Sequence, residues 1–332
     1  MDHTTTRSLR DMADLTTPMA IRVAATLGLA ERAGTTGATA QRLAADAGAD
    51  ARALACLLDH LVTVGVFAVD DDGRYRATDL GGELVDEGLR RFLDINAAAG
   101  RADLAFVDLL GTVTTGEPAY PRRYGRDFWA DLDAQPRLRR SFDAQMNWRY
   151  QVQAPQIAER FDWGRFTEIL DVGGGDGTLL EAILLVHPGV RGRVVDLRPT
   201  NAGATARFVA AGLDDRASAI PGSFFDPLPA GADVYLLSDI LHDWDDAHAS
   251  AILDNCRRAA APHGTVVVVE PVRGQWARTA MDLFMLMCFG GRERTVEELT
   301  ALAAGVGLAL RSSGPVAEGR SALEFVGSGA DH

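Results

Sequence analysis

The sequence is poor in cysteine: 332 residues carry only Cys56, Cys256 and Cys288, with no C-x-x-C pair. That excludes a disulfide framework and a thiolate zinc site, and the scattered thiols suit a reducing cytoplasm. Long apolar runs are absent too; none approaches the roughly 18 uninterrupted residues of a membrane span. The opening Met1 to Arg10 is polar and has no signal-peptide core, so a cytoplasmic location is the expectation. Positive charge is in short supply. Lys and Arg total 33 against 46 Asp and Glu, a formal net charge of −13. Such a surface repels DNA and anionic membranes and favours small neutral or cationic ligands. No set of carboxylates and histidines has metal-ligand spacing, so no metal is expected. What is plentiful is apolar content, 47% of residues, ample for the cores of two domains.

Taken in order, Thr17-Pro18 reads as an N-cap with proline at the first helical position, opening a helix towards Gly34. A short helix, Gln41 to Ala47, closes at Gly48. Asp50 caps a longer one with Leu54, Leu57, Leu58, Leu61 and Val62 on one stripe. Phe67 to Val69, the turn Asp70 to Gly73, and Tyr75 to Ala77 form a hairpin. Three helices and a hairpin suggest a winged-helix module. As a DNA reader it fails on charge, because its third helix offers only Arg52 as a fixed cation and its wing carries three aspartates. A dimerisation surface is the better reading. This gives a domain over 1–100, a helical linker over 101–160 and a catalytic domain over 161–332.

From Glu83 to about Arg160 the pattern is helical, with a loop at Gly116 to Gly125 and nine aromatics between Phe92 and Tyr150. Core packing accounts for many of them; a flat ring held in an aromatic-lined pocket accounts for them equally well. After Phe161 strands and helices alternate. Strands are expected at 169–172, 194–196, 217–220, 234–238 and 266–270, which implies a parallel sheet covered on both faces. Thr295-Val296-Glu297-Glu298 is a capping box, and 309–312 with 323–326 forms a closing antiparallel hairpin.

The centre of the chain is Glu168-Ile-Leu-Asp171-Val-Gly173-Gly-Gly175-Asp-Gly177-Thr178, a strand running through a glycine turn into a helix. Backbone N–H groups and a positive helix end meet a ligand there. The spacing departs from the dinucleotide fingerprint, since Thr178 stands where the last small residue belongs. About one βα unit on, a strand ends at Asp196, placed to accept hydrogen bonds from both hydroxyls of a ribose. Nucleoside binding follows, with no requirement for phosphate.

Three further strand ends carry polar groups at the edge where open α/β sheets bind ligands. They are Gly222-Ser223-Phe224-Phe225, then Ser238-Asp239-Ile240-Leu241-His242-Asp243-Trp244, then Glu270. Gly291-Arg292-Glu293-Arg294 precedes the capping box. His242 is either a loop residue ahead of an acidic helix start or a general base with Glu270 and Glu293 to orient and charge its ring.

These segments resemble the small-molecule O-methyltransferases that use S-adenosylmethionine, the caffeate- and flavonoid-type group with bacterial polyketide-tailoring relatives. The resemblance covers nearly the whole chain. It implies a Rossmann-like doubly wound sheet with a final antiparallel hairpin, preceded by an all-helical winged-helix-like dimerisation domain. It also implies a homodimer whose N-terminal helices reach the partner's substrate pocket. The cofactor would lie against Asp171, Gly173, Gly175, Asp196, Leu197, Gly222, Ser223, Phe224, Ser238 and Asp239, and leave as S-adenosylhomocysteine. His242 would be the base, supported by Glu270 and Glu293. Plant relatives have lysine where Ser238 stands, so the contact there must differ.

The expected reaction is methyl transfer to a phenolic hydroxyl of a small polyketide- or naphthoate-like aromatic. A phenol near pKa 10 lies roughly 5 kcal/mol uphill of a histidine near 6.5, and an aliphatic alcohol roughly 12.5 kcal/mol. Only the phenol is feasible without a metal. Met146, Trp148, Met281, Asp282, Met285, Cys288 and Phe289 are candidate pocket residues, and Arg10 is a candidate partner for a substrate carboxylate across the dimer. Two other readings stand beside this one: a cofactor-binding enzyme of hydroxylation or decarboxylation, and a ligand-sensing winged-helix regulator.

Overall fold

A computed structural model describes residues 8–198, 200–260 and 262–328. The polar opening is therefore covered only from Ser8, and the expectation for residues 1–7 falls outside the described residues. Two compact units emerge: residues up to Leu104 with Gln135–Gln145, and Ala105–Ala134 with Met146 onward. The stretch 101–160 is shared between them, and the long helix Pro136–Arg160 contributes to both.

In the first unit the helices Thr16–Thr26, Leu29–Ala33, Ala40–Ala47 and Ala51–Thr63 enclose Leu29, Leu43, Leu58, Leu61 and Phe67. Asp50 caps the fourth helix as expected, accepting the Ala53 N–H at 2.8 Å. The first helix corrects the expected cap. It starts at Thr16, and Asp14, not Thr17, accepts the Thr16 and Thr17 N–H groups at 3.0 and 3.1 Å. It also stops at Thr26, because Gly28 turns into the left-handed region (φ 60°) before a separate short helix. Nor is the module all-helical. Strand β1 (Ala38–Thr39) joins β2 (Phe67–Val69) and β3 (Arg74–Ala77) in a sheet ordered β1-β3-β2.

The second unit holds a seven-stranded sheet of β4 (Glu168–Val172), β5 (Arg191–Asp196), β6 (Ala217–Pro221), β7 (Val234–Ser238), β8 (Thr265–Glu270), β9 (Leu308–Ala317) and β10 (Arg320–Gly327). Their order is β6-β5-β4-β7-β8-β10-β9; β4 to β8 pair in parallel, and β10 runs antiparallel to β8 and β9. The strand order reverses between β4 and β7, which opens the ligand crevice above their carboxyl ends. Both faces are buried, so the strand carries the unbroken apolar run Val266 to Val269 between Thr265 and Glu270. Leu170, Leu237, Val266 and Val268 pack towards Ile252, Leu253 and Leu299. Ile169, Leu236, Val267 and Val269 pack towards Leu180, Ile183, Phe208 and Trp163. Each such side chain contributes roughly 1.5–3 kcal/mol by leaving water. The expected loop over 116–125 contains a helix, Ala119–Tyr124, closed by Gly125.

Candidate active site

The glycine turn is shaped from both sides. Gly173, Gly175 and Gly177 all have positive φ, and the Gly173 N–H donates to the Val195 carbonyl at 2.8 Å. A side chain at Gly173 would stand 2.6 Å from Ile240, and one at Gly177 2.6 Å from Phe208, whereas one at Gly175 would meet open space. The turn therefore rests on the protein at two glycines and is open at the third. The Asp196 carboxylate accepts N–H groups from Gly175 (2.8 Å) and Leu197 (2.6 Å), which locks it beside the turn. Leu197 itself is about half exposed.

Asp171 is buried beneath the same turn. A side chain at Gly174 would come within 2.3 Å of its Oδ2, yet neither carboxylate oxygen has a hydrogen-bond partner. Burial and the charge of Asp196 push its pKa up to about 7. An orphaned buried carboxylate calls for a cationic or donor ligand. Together with the open backbone at Gly175, it fits the ammonium end and ribose of S-adenosylmethionine. Gly222 stands against Val195, and the Phe224 carbonyl is fixed by Asn255 at 2.9 Å. The Phe224 ring meets Trp244 and Phe225 edge-on at 5.9 and 4.9 Å, as a cover for a flat base would require. The Ser223 hydroxyl accepts the Phe225 N–H.

His242 sits on a 3-10 turn, Leu241–Asp243, and is 3% exposed. Its Nδ1 lies 3.2 Å from Glu293 Oε1, a fully buried acceptor, which assigns the proton to Nδ1. Nε2 is 3.6 Å from Asp243 Oδ1, beyond hydrogen-bond range. Burial disfavours the charged ring, but Asp243, Glu293 and Glu270 outweigh it and raise the pKa to about 10. Burial likewise pushes the Asp243 and Glu270 carboxyls up to about 7.

Glu270 supports the ring through its charge and also holds the backbone of the turn. Its Oε1 accepts the backbone N–H groups of Leu241 (2.5 Å) and His242 (3.2 Å). The buried Arg294 fork binds the carbonyls of Leu241 and Trp244, each at 2.7 Å, and pairs with Asp246. The turn bearing His242 is thus pinned by its N–H groups from one side and by its carbonyls from the other. The helix that follows starts at Asp246, so Asp243 and Asp245 precede its first turn; Asp245 caps it through the His248 N–H.

Two of the expected site carboxylates have partners within the protein. Asp282, an expected pocket residue, is also engaged by the protein: it accepts the Glu293 N–H at 3.1 Å and pairs with Arg273, and so buttresses the His242 partner. The Asp239 carboxylate, expected to face the cofactor, is held by Arg149, Tyr150 and Arg320. The Ser238 hydroxyl sits 2.9 Å from the Tyr150 hydroxyl, so a tyrosine occupies the polar partnership at the position where plant relatives carry lysine. The chain contains no lysine at all. Arg149 and Arg320 leave no local signal in the sequence; Tyr150 counts among the nine aromatics of the expected ring-lined stretch, and Arg294 lies inside the Gly291–Thr295 segment.

The helix Thr279–Cys288 places Met285 and Cys288 in the interior and leaves Met281 more than a third exposed. Phe289 stacks on Trp129 at 5.5 Å, and Trp129 lies parallel to Trp244 at 6.5 Å, so the aromatic wall runs continuously from Phe289 to Phe224. Met146 and Trp148 open the part of the long helix that belongs to this unit, and Trp148 is half exposed. Arg10 lies on the exposed helix Leu9–Met12 of the other unit. Among the described residues no group of His, Cys, Asp and Glu is arranged to hold a metal, and no helix is long and apolar enough to cross a membrane.

A family model for an O-methyltransferase domain matches residues 106–309, and one for an O-methyltransferase dimerisation domain matches 11–87. The chain is 49% identical to a 2,7-dihydroxy-5-methyl-1-naphthoate 7-O-methyltransferase of Streptomyces carzinostaticus, over 93% of this chain and 94% of that protein. It is 44% identical to the aclacinomycin 10-hydroxylase RdmB of Streptomyces purpurascens, over 92% and 84%. The structure matches that of NcsB1, an O-methyltransferase from neocarzinostatin biosynthesis solved with S-adenosylmethionine and 2-hydroxy-5-methyl naphthoic acid. That match has a TM-score of 0.93 at 47% identity, over 97% and 99% of the two chains. The same enzyme has been solved with S-adenosylhomocysteine and 1,4-dihydroxy-2-naphthoic acid. This chain belongs to the O-methyltransferase family.

Proposed function

We propose that this protein methylates a phenolic hydroxyl of a small naphthoate- or polyketide-like aromatic acid. The observation that carries the reading is the buried His242–Glu293 pair beside the glycine turn and Asp196. S-adenosylmethionine, when bound, supplies a methyl group already activated by its sulfonium. Asp196 takes the ribose hydroxyls, Asp171 the ammonium, and Phe224 covers the base. His242 Nε2 faces no hydrogen-bonding carboxylate and receives the substrate hydroxyl, while Glu293 fixes the ring through Nδ1. With His242 raised to about 10, imidazolium and phenol are nearly matched, so the transfer step itself is close to level where an ordinary histidine would face roughly 5 kcal/mol; at neutral pH the ring must first give up its own proton, at a cost of about 4 kcal/mol. Glu270 and Arg294 keep the turn from moving as charge shifts between ring and substrate.

Met146, Trp148, Met281, Met285, Cys288 and Phe289 form the apolar wall in this reading. Arg10 binds a substrate carboxylate from the second protomer of a homodimer built through the N-terminal module. Support for an acid comes from the naphthoate relatives, and support for the dimer from the matched dimerisation domain. A cytoplasmic enzyme with no nucleic-acid partner agrees with the acidic composition. The 44% identity to a hydroxylase keeps oxygenation in view. Incubation with methyl-labelled S-adenosylmethionine and a panel of hydroxynaphthoic acids separates the two. Labelled methyl ether supports the proposal; unlabelled hydroxylated product, or none, overturns it.

A further inference from the structure

We propose that Asp239 is a positioning residue that fixes the first turns of the catalytic-unit segment of the long helix, and with them the aromatic substrate. This builds on the reading of Met146 and Trp148 as pocket wall. Asp239 is the one non-glycine with positive φ among the described residues, at 54°. An aspartate tolerates the left-handed region better than most side chains but is strained there, and such strain persists only where the surroundings over-determine it.

The surroundings do so. The Asp239 N–H donates to the Val269 carbonyl at 3.0 Å, continuing the β7–β8 ladder past the end of the strand. Arg320 Nη2 donates to the Asp239 Oδ2 at 3.1 Å, and Arg320 Nε forms an ion pair with Oδ1 at 2.8 Å without hydrogen-bond geometry. Arg149 Nη2 stands 3.0 Å from Oδ2, and the Tyr150 hydroxyl 3.1 Å from it. The same hydroxyl reaches Ser238. Asp239 and Arg320 side chains are each only 8% exposed. Three separate elements, the end of β7, the start of β10 and the helix Pro136–Arg160, therefore converge on one buried carboxylate.

Such a carboxylate is tolerable only when paired, so the cations cannot relax away without leaving an uncompensated charge. Guanidinium groups make the arrangement directional, because each presents its donors in a fixed plane. Met146 lies three residues ahead of Arg149 on the same helical face, and Trp148 is its neighbour. Fixing Arg149 and Tyr150 thus fixes the turn that presents both. Asp239 makes no hydrogen bond to His242, Glu293 or the glycine turn, although its charge helps raise the Glu270 and Asp243 carboxyls.

Two variants test this. Asp239→Asn keeps the shape and the left-handed preference but removes the charge; Asp239→Gly relieves the strain and removes the carboxylate. Both are assayed with 1,4-dihydroxy-2-naphthoic acid as acceptor, alongside calorimetric binding of S-adenosylhomocysteine and hydrogen exchange of amides 146–153. A turn displaced by about an ångström should lower kcat/KM for the naphthoate by about 10- to 100-fold, chiefly through KM, with faster exchange at 146–153. S-adenosylhomocysteine affinity should stay within about twofold, the usual tolerance for uncoupled sites. Unchanged exchange in both variants overturns the proposal, whatever happens to turnover. A loss of S-adenosylhomocysteine affinity equal to the loss in kcat/KM also overturns it, since Asp239 would then serve the cofactor. The exchange result stands even if wild-type protein methylates no naphthoate, so failure of the functional reading is recognisable separately.

Discussion

Replacing Glu293 by Gln isolates the electrostatics of the site with little change of shape. The amide oxygen can still accept the Nδ1 proton of His242, but the negative charge 3.2 Å away is gone. At an effective dielectric near 20, two unit charges at that distance interact by about 5 kcal/mol. Loss of one buried partner should lower the ring pKa by about 1–3 pH units, since Asp243 and Glu270 remain. His242 stands raised, from 6.5 to about 10, so its protonated form dominates at neutral pH. With one proton too many in the enzyme–phenol complex, wild-type kcat/KM should climb with pH throughout the range from 7 to about 9. In Glu293→Gln the rise should break about 1–3 units earlier, to a plateau lowered by up to about 100-fold because the base is weaker and less rigidly held. Titration of the His242 ring by NMR, with His242→Gln to assign the resonance, reads the same shift without turnover. Identical break points and identical ring titration in wild type and variant would refute the assignment of Glu293 as the charge that governs this histidine.

Three other outcomes are expected. Asp171→Asn should stabilise the ligand-free protein by about 1–3 kcal/mol above pH 7, a gain of several degrees in Tm, while weakening S-adenosylmethionine binding. The sign follows from an acid raised from 3.8 to about 7: folding stability falls as pH climbs through that interval, so the gain vanishes below about pH 4. A thermal scan at both pH values, with no difference between variants, would remove the case for an orphaned charge. Asp196→Ala should weaken S-adenosylmethionine by roughly 10- to 150-fold, the loss of a charge-assisted acceptor worth about 1.5–3 kcal/mol, and calorimetry showing unchanged affinity would refute the ribose assignment. Arg10→Ala should reduce kcat/KM for a free aromatic acid but not for its ester; equal losses on both, or none on either, count against the carboxylate role.

What sequence patterning could reveal was local or periodic. The strands of the parallel sheet, the Asp50 cap, the Thr295–Glu298 box, the glycine turn and Asp196 depend on spacing within a few residues or one βα unit, and all appear where expected. The pairing of His242 with Glu293 spans 51 residues; the residues alone leave Glu293 and Glu270 as equal candidates beside a loop-residue reading, and the family resemblance favours the base. The rest depends on tertiary geometry that leaves no period. Nothing in the sequence separates Glu270, which holds the turn's backbone, from Glu293, which holds the ring. Asp239 meets Arg149 and Arg320 from 90 and 81 residues away, so it looked like one more polar group at the ligand edge. Asp282 shared helical spacing with its apolar neighbours, yet its carboxylate turns to the Glu293 backbone. At the N-terminus, Asp14 outcompeted Thr17 as a cap because its carboxylate reaches two N–H groups at once.

The central claim is that His242 removes the phenolic proton while the glycine turn and Asp196 hold the methyl donor. Single-turnover transfer from labelled S-adenosylmethionine to a hydroxynaphthoic acid, compared between wild type and His242→Gln at saturating ligand, tests it most directly. The expected result is a rate lowered by about 10²–10⁴-fold with S-adenosylmethionine affinity preserved. Transfer at the wild-type rate by the variant would contradict it.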